Sequence, residues 1–230
     1  MAMKRTTVDG KVVNVRTAQM LKRAQARLGL DLYVVQGSYN SGVGASGGTH
    51  DGGGAIDLSP TNNPQEVVKQ LRAVGFAAWY RPELWRDGKR VWGSHIHAIA
   101  VGDAELSPSA ASQVTDYFNG RDGLAGHGPD NGYRFDPIPQ WPVRRPVVSL
   151  ARVKKQFEAN KPRKVLGVKR VQKLLNYRMN ANLKTDGVAG PKTRVAYKRW
   201  EVKIGVAKPD IKPGKYPLQK LFAGWYIVQK

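Results

Sequence analysis

The sequence predicts an α+β fold, a small antiparallel sheet with flanking helices, followed by a small all-α domain. Two short stretches, "AIDLS" (55–59) and "SHIHAIAV" (94–101), alternate with the period of a strand, whereas three others repeat apolar residues at helical spacing. These elements do not alternate regularly, which argues for helices packed on one side of a small sheet rather than for a parallel βαβ array. Composition then shifts: residues 120–149 are rich in Gly, Pro and Asp, and residues 151–206 are strongly basic and helical in pattern.

Each element has its own signals. "RTAQMLKRAQARLGL" (16–30) sets Ala18, Leu21, Ala24, Ala26 and Leu28 at roughly helical spacing, and Gly29 fits a C-cap. "DLYVVQGSY" (31–39) reads as a strand. "NPQEVVKQLRAVGF" (63–76) is a second helix: Asn62 or Asn63 caps it, Pro64 takes the first turn, and Val67, Val68, Leu71 and Val74 face inward. "SPSAASQVTDYFNG" (107–120) is a third, with Ser107 as N-cap and Pro108 at N1. Prolines 137, 139, 142 and 146 forbid a regular helix and mark a semi-rigid linker. The expected organisation is a first domain over 1–133, a linker over 134–150, a helical domain over 151–206 and a tail over 207–230.

Charge and composition narrow the function. Residues 1–150 carry 17 Lys+Arg against 13 Asp+Glu (net +4), and residues 151–230 carry 21 against 4 (net +17). Such a segment is drawn to a polyanion: nucleic acid, an anionic membrane, or the anionic polymers of a bacterial wall. No apolar run reaches the roughly 18 residues of a membrane span, and no apolar stretch comes after the basic N-terminus as a secretory signal requires. There are no cysteines, so disulfides and thiolate metal sites are excluded.

Three of the four histidines fall in "GGTHDGGGAIDLSP" (47–60) and "WGSHIHAIAV" (92–101). In the second stretch the strand period places His95 and His97 on one face, with Ile99 and Val101, and Ile96, Ala98 and Ala100 on the other. In "AIDLS", Asp57 points away from the face of Ile56 and Leu58. A carboxylate in an apolar strand needs a partner. Zinc supplies one: two His and one Asp form a catalytic ligand set that leaves a fourth position for water. The Gly52-Gly53-Gly54 turn lets His50 and Asp57 approach one ion together. A single His in a strand, or an Asp before Ser-Pro, is ordinarily structural; the clustering is what favours a metal. His127, in "LAGHGPDNG", is peripheral.

"THDGGGAID" followed by "HIH" resembles the zinc peptidases of the D-alanyl-D-alanine carboxypeptidase type, which include peptidoglycan L-alanyl-D-glutamate endopeptidases and share the hedgehog-like fold. The resemblance covers about residues 15–120. It implies that His50, Asp57 and His97 hold zinc and that the ion activates a water on the scissile carbonyl. Many members carry a general-base Glu three residues before the last ligand; Ser94 stands there. Relatives with His-x-His place a catalytic His at the position of His95, which implies that His95 moves the proton and steadies the oxyanion. Glu83 and Asp103 are the fallback acids. An arginine common in "SGYRS"-like stretches is replaced by Tyr39 in "QGSYNS", so the substrate anchor falls to Tyr39, Gln36 or Arg81.

The second domain points the same way. "LGVKRVQKLLN" (166–176) sets Leu166, Val168, Val171, Leu174 and Leu175 on one helical face, and "TDGVAGPKTRVAYKRW" (185–200) turns at Asp186-Gly187 before a helix with Val195, Ala196 and Trp200 inward. This resembles the three-helix peptidoglycan-binding domain, whose hallmark is a "DGxxGPxT" turn. The match covers about 164–204 and implicates Asp186, Gly187 and Lys192 in wall binding. A zinc peptidase joined to such a module resembles a bacteriophage endolysin. The implied partners are peptidoglycan and anionic wall polymers, with no dedicated nucleic acid, no membrane span and a monomeric chain made in the host cytoplasm and released to the wall at lysis. The rival readings are a nucleic-acid-binding protein stacking bases on Tyr177, Tyr197 and Trp200, and a wall binder without catalysis.

Overall fold

The structure is a computed structural model and describes residues 2–142 and 147–229, which fall into two compact units divided between Val143 and Arg144. In the first unit the chain opens with an antiparallel hairpin, β1 (Arg5–Val8) and β2 (Lys11–Asn14), turned by Asp9 and Gly10, both at positive φ. Helix α1 (Val15–Leu28) comes directly after it. Asn14 caps it by accepting from Thr17 N, and Gly29 closes it in the left-handed region, as its lack of a Cβ allows. Strand β3 (Val34–Gln36) is shorter than the run 31–39 expected to form it, and β4 (Ala55–Leu58) comes after a long loop. Helix α2 (Pro64–Arg72) starts on an Asn63 cap with Pro64 in its first turn. Strand β5 (Phe76–Arg81), the hairpin β6 (Leu84–Arg86) and β7 (Lys89–Trp92), strand β8 (His95–Ala100) and helix α3 (Pro108–Phe118) complete the series.

The central sheet has four antiparallel strands in the order β3-β4-β8-β5. The α+β class is therefore as expected. The placement of the helices is not: they cover both faces rather than one. Met20 and Leu21 of α1 and Val67 and Leu71 of α2 pack on Ile56, Leu58, Phe76, Ala78, Ile96 and Ala98. Ala110, Val114 and Tyr117 of α3 pack on Ala55, Ala77, Trp79, Ile99 and Val101 on the opposite face. Both sets of alternating residues are apolar, so the two-residue period that separates them requires cover on both sides.

The segment read as a linker also differs. Ile138 packs against the α3 layer and Trp141 against the α1–α2 layer. The buried Arg72 holds Asp130 at 2.6 Å and donates to the Ala78 and Tyr133 carbonyls, which fastens the Pro/Gly-rich chain to the β5 edge. Residues 143–146 of the expected linker, with Pro146, lie outside the described residues. Ser149 and Leu150 belong to regular elements of the second unit.

That unit is not a three-helix bundle ending near 206. Its described residues hold β9 (Val147–Ser149), four helices, α4 (Leu150–Glu158), α5 (Leu166–Met179), α6 (Pro191–Lys203) and α7 (Lys215–Leu221), and β10 (Ile227–Gln229), which pairs in parallel with β9. The residues read as a tail supply Leu218, Leu221 and Phe222 to a core with Val153, Phe157, Val171, Leu175, Tyr197 and Trp200. Leu166 and Val195 are 61% and 58% exposed rather than inward. Leu166 is the first residue of α5, and on α6 the inward stripe is Thr193, Ala196, Tyr197 and Trp200, about one helical step from Val195. Tyr197 and Trp200 are buried and Tyr177 packs edge-on against Trp225, so the rings offered as base-stacking platforms are core or intramolecular contacts.

Candidate metal centre

The register of the sheet builds the site. Asp57 on β4 pairs with His97 on β8, and His97 pairs with Trp79 on β5, so the three form one row across the sheet. They face the α3 side; as the strand period predicts, Asp57 lies opposite Ile56 and Leu58, and His97 opposite Ile96 and Ala98. The indole of Trp79 stacks on the His97 ring with centroids 6.3 Å apart. His50 reaches this row from the loop between β3 and β4. That loop is pinned by Tyr39 N to Gly52 O and Asn40 N to His50 O, both 2.8 Å, and by Gly53 N to Glu105 O at 2.6 Å. A Cβ on Gly52 would collide with the Glu105 carbonyl and the Ser107 amide, so the glycine serves close approach to the start of α3 as well as the turn.

His50, Asp57 and His97 are all buried and each offers one ligand atom, these atoms lying within 4.8 Å of one another. His50 Nε2 is 3.4 Å from Asp57 Oδ1, close to the edge of about 3.3 Å between tetrahedral ligands at zinc-like bond lengths. His97 Nδ1 is 2.7 Å from the same oxygen. The outer nitrogens are committed elsewhere: His50 Nδ1 donates to the Gly37 carbonyl at 2.8 Å and His97 Nε2 donates to Gln113 Oε1 at 2.9 Å. These second contacts orient both rings so that His50 Nε2 and His97 Nδ1 face the carboxylate. His97 Nδ1 and Asp57 Oδ1 are at hydrogen-bond distance, a contact that a proton satisfies; two imidazoles and one carboxylate within 4.8 Å of one another are also a donor set that could hold a metal ion.

Burial works against the Asp57 carboxylate, but the charges and hydrogen bonds of His97 and His50 outweigh it and hold its pKa well below the ordinary value. Burial likewise opposes protonation of His50, and the hydrogen bond and charge of Asp57 overcome it, so its pKa is raised. At His97 burial prevails, helped by the charges of His50 and Arg81, and the pKa is lowered.

The centre opens into a cavity of about 330 Å³. Gln36, Arg81, His95 and Gln113 reach it together with Trp92, Thr49 and Ser46. His95 Nδ1 donates to the Gly93 carbonyl at 2.7 Å, which leaves Nε2 as the ring's basic atom. Gln36 donates to Ser46 Oγ at 2.8 Å. Tyr39, expected as a substrate anchor, does not line the cavity: its hydroxyl bonds Glu105 and Arg5 lies over its ring. The fallback acids are also elsewhere engaged. Glu83 meets Arg90 and Trp85 in solvent, and the buried Asp103 accepts from Asn14 and pairs with Arg16. His127 has an exposed side chain and bonds Asp116 at 2.8 Å.

Gln113 is the functional candidate that the sequence reading missed. It lies on the stripe Ala110, Gln113, Val114, Tyr117 of α3, and a polar residue inside an apolar helical stripe is the signal that marks it.

In the second unit, Asp186 and Gly187 hold the turn between α5 and α6. Asp186 Oδ1 accepts from Val188 N and Gln172 Nε2, both at 2.9 Å, and Gly187, at φ +84, donates to Gln172 Oε1. Lys192 instead lines an open cleft of about 410 Å³ with Asn180, Asn182, Val195 and Arg199. No helix among the described residues is long and apolar enough to cross a membrane. The chain matches no protein-family model, no curated protein and no solved structure.

Proposed function

We propose that the chain is a zinc-dependent peptidoglycan peptidase of the endolysin kind, which hydrolyses an amide bond of the wall's stem peptide while its second unit holds it on the wall. The observation that supports this reading best is the convergence of His50, Asp57 and His97 at the floor of an open cavity, with each imidazole oriented by an outer acceptor. Zinc on these three residues supplies a Lewis acid and lowers the pKa of a water.

The chain's own groups do the rest. His95 presents Nε2 to the cavity and takes a proton from the attacking water, then returns it to the leaving amine. Asp57 keeps its negative charge at working pH and holds both imidazoles in register. Trp92 and Leu124 give the cavity apolar walls that limit water around the reacting amide.

Wall attachment draws on the basic second unit, where Lys192 and Arg199 sit at the mouth of a cleft. The burial of Tyr197 and Trp200 weighs against the nucleic-acid reading.

The test is digestion of purified peptidoglycan followed by mass spectrometry of the released fragments. Cleavage at one amide, abolished in His50→Ala and reduced at least about a hundredfold in His95→Ala, supports the proposal. Lysis undiminished in His50→Ala contradicts it.

A further inference from the structure

The excursion between β5 and β8 serves no core. Residues 82–94 carry the β6–β7 hairpin, and none of them is buried or belongs to a hydrophobic cluster of the first unit. The hairpin is a two-stranded sheet of its own, separate from the four-stranded sheet. A ribbon of that size gains little stability by itself. It is nonetheless well specified: Asp87 and Gly88 turn it, both at positive φ, as a two-residue hairpin loop requires. A formed ribbon that adds nothing to the core calls for another role.

What it presents is an indole. Trp85 is 55% exposed. Its Nε1 donates to Glu83 Oε1 at 2.5 Å, and the other oxygen of that carboxylate lies 3.7 Å from Arg90 Nη1. Trp85 and Arg90 are cross-strand partners, so their side chains leave the same face of the ribbon. An exposed ion pair stabilises little; here the carboxylate holds the polar edge of the ring and leaves its flat face in solvent. The Arg90 side chain is mostly exposed, so donors of its guanidinium face water. The surface adjoins the metal-centre cavity: Trp92 and Gly93 line that cavity, and a Cβ on Gly93 would lie 3.9 Å from Arg90 Nη1.

These groups fit one kind of ligand. The charges of the ribbon nearly cancel, with Glu83 and Asp87 against Arg86, Lys89 and Arg90, so a polyanion gains little here. One exposed indole is far smaller than the apolar patch of a stable protein contact. A pyranose ring matches it. The C–H groups on one face of the sugar lie on the indole, and the hydroxyl and acetamido groups at its rim meet a carboxylate acceptor and guanidinium donors.

We propose that Trp85, Glu83 and Arg90 form a carbohydrate-binding surface at the rim of the metal-centre cavity, which takes a hexosamine of a glycan strand and so brings the stem peptide carried by that strand to the cavity. The sugar subsite rests on the geometry of the ribbon; its service to cleavage rests on the peptidase reading.

The experiment uses the full-length protein labelled with 5-fluorotryptophan and followed by fluorine NMR. The Trp85 signal is the one missing from Trp85→Phe. The probe is tetra-N-acetylchitotetraose, a neutral oligomer of N-acetylglucosamine, and the control is sorbitol, which has hydroxyls but no ring face. The expected result is a saturable shift of the Trp85 signal at millimolar oligomer, at low and high salt alike because the sugar carries no charge, and no shift with sorbitol. Arg90→Ala weakens the binding read at Trp85 by about fivefold or more, while zinc content and the far-ultraviolet spectrum stay at the wild-type level; Arg90→Lys keeps part of the affinity. No shift of the Trp85 signal, a shift that never saturates, an equal shift with sorbitol, or binding undiminished in Arg90→Ala overturns the proposal. Sugar binding by a protein that leaves the wall intact would refute the peptidase reading and leave the sugar surface standing, and cleavage of the wall without sugar binding would do the reverse.

Discussion

Replacing Gln113 by leucine tests the second contact of His97. The leucine side chain has similar volume and suits a helix, so α3 is kept. What is lost is the acceptor 2.9 Å from Nε2 of a histidine that is 5% exposed. Water replaces it poorly at that depth, and an unbonded buried donor costs about 1–3 kcal/mol. In the wild type that hydrogen bond keeps the proton on Nε2 and the lone pair of Nδ1 on the ligand side; in the variant the ring is free to hold the opposite tautomer. Loss of such an outer partner lowers metal affinity by about ten- to a hundredfold, which is about 1.4–2.7 kcal/mol and agrees with the hydrogen-bond figure. Competition titration against a chromophoric chelator at fixed pH measures this directly. A dissociation constant within about twofold of wild type, with Gln113→Leu folded, would refute the assignment of His97 Nδ1 as a ligand oriented by Gln113.

The packing and the charges set three further outcomes. Gly52→Ala drives a Cβ into the Glu105 carbonyl and the Ser107 amide, so it displaces the loop that carries His50; zinc stoichiometry then falls while the far-ultraviolet spectrum is little changed, and wild-type zinc binding would contradict it. Phe222→Ala empties a fully buried site in the core of the second unit and costs about 3–5 kcal/mol, read by hydrogen exchange of α5 and α6; a loss under about 1 kcal/mol would show that 207–230 is a dispensable tail. Backbone and side-chain hydrogen bonds from Val188 and Gln172 lower the pKa of Asp186, so its contribution to stability is present above about pH 4 and is lost as pH falls through the depressed folded value. Asp186→Ala is therefore less stable than wild type at neutral pH, and the gap closes in acid; a gap independent of pH would contradict the assignment.

Much of the first unit is legible in the sequence because its signals are local. Asn63, Pro64, Ser107 and Pro108 mark helix starts through caps and a fixed φ, and Gly29 marks an end. The two-residue period separates His97 from Ile96 and Ala98 in one strand and Asp57 from Ile56 and Leu58 in the other, and the register between the strands brings the two polar residues together. The illegible part depends on contacts distant in sequence. That α3 lies opposite α1 and α2 comes from both strand faces being apolar, a pattern that a short strand shows only weakly. The Pro-rich stretch looks like a linker because proline and glycine exclude helix; they do not exclude packing, and Trp141 and Ile138 pack. The sequence "LFAGWYIV" is visibly apolar, but the elements it meets, α5 and β9, are not written in its own residues. At the site, Tyr39 matches a motif position and still points at Glu105, because a motif fixes a place in the chain and not the partners around it.

The measurement that tests the account most directly is the zinc content of the purified full-length protein, with lysis of wall material before and after chelation. The account predicts about one zinc per chain, lost in His50→Ala and His97→Ala, with lysis that stops on chelation and returns when zinc is added. Lysis that persists in metal-free protein, or a chain that binds no zinc while His50, Asp57 and His97 are intact, would contradict it.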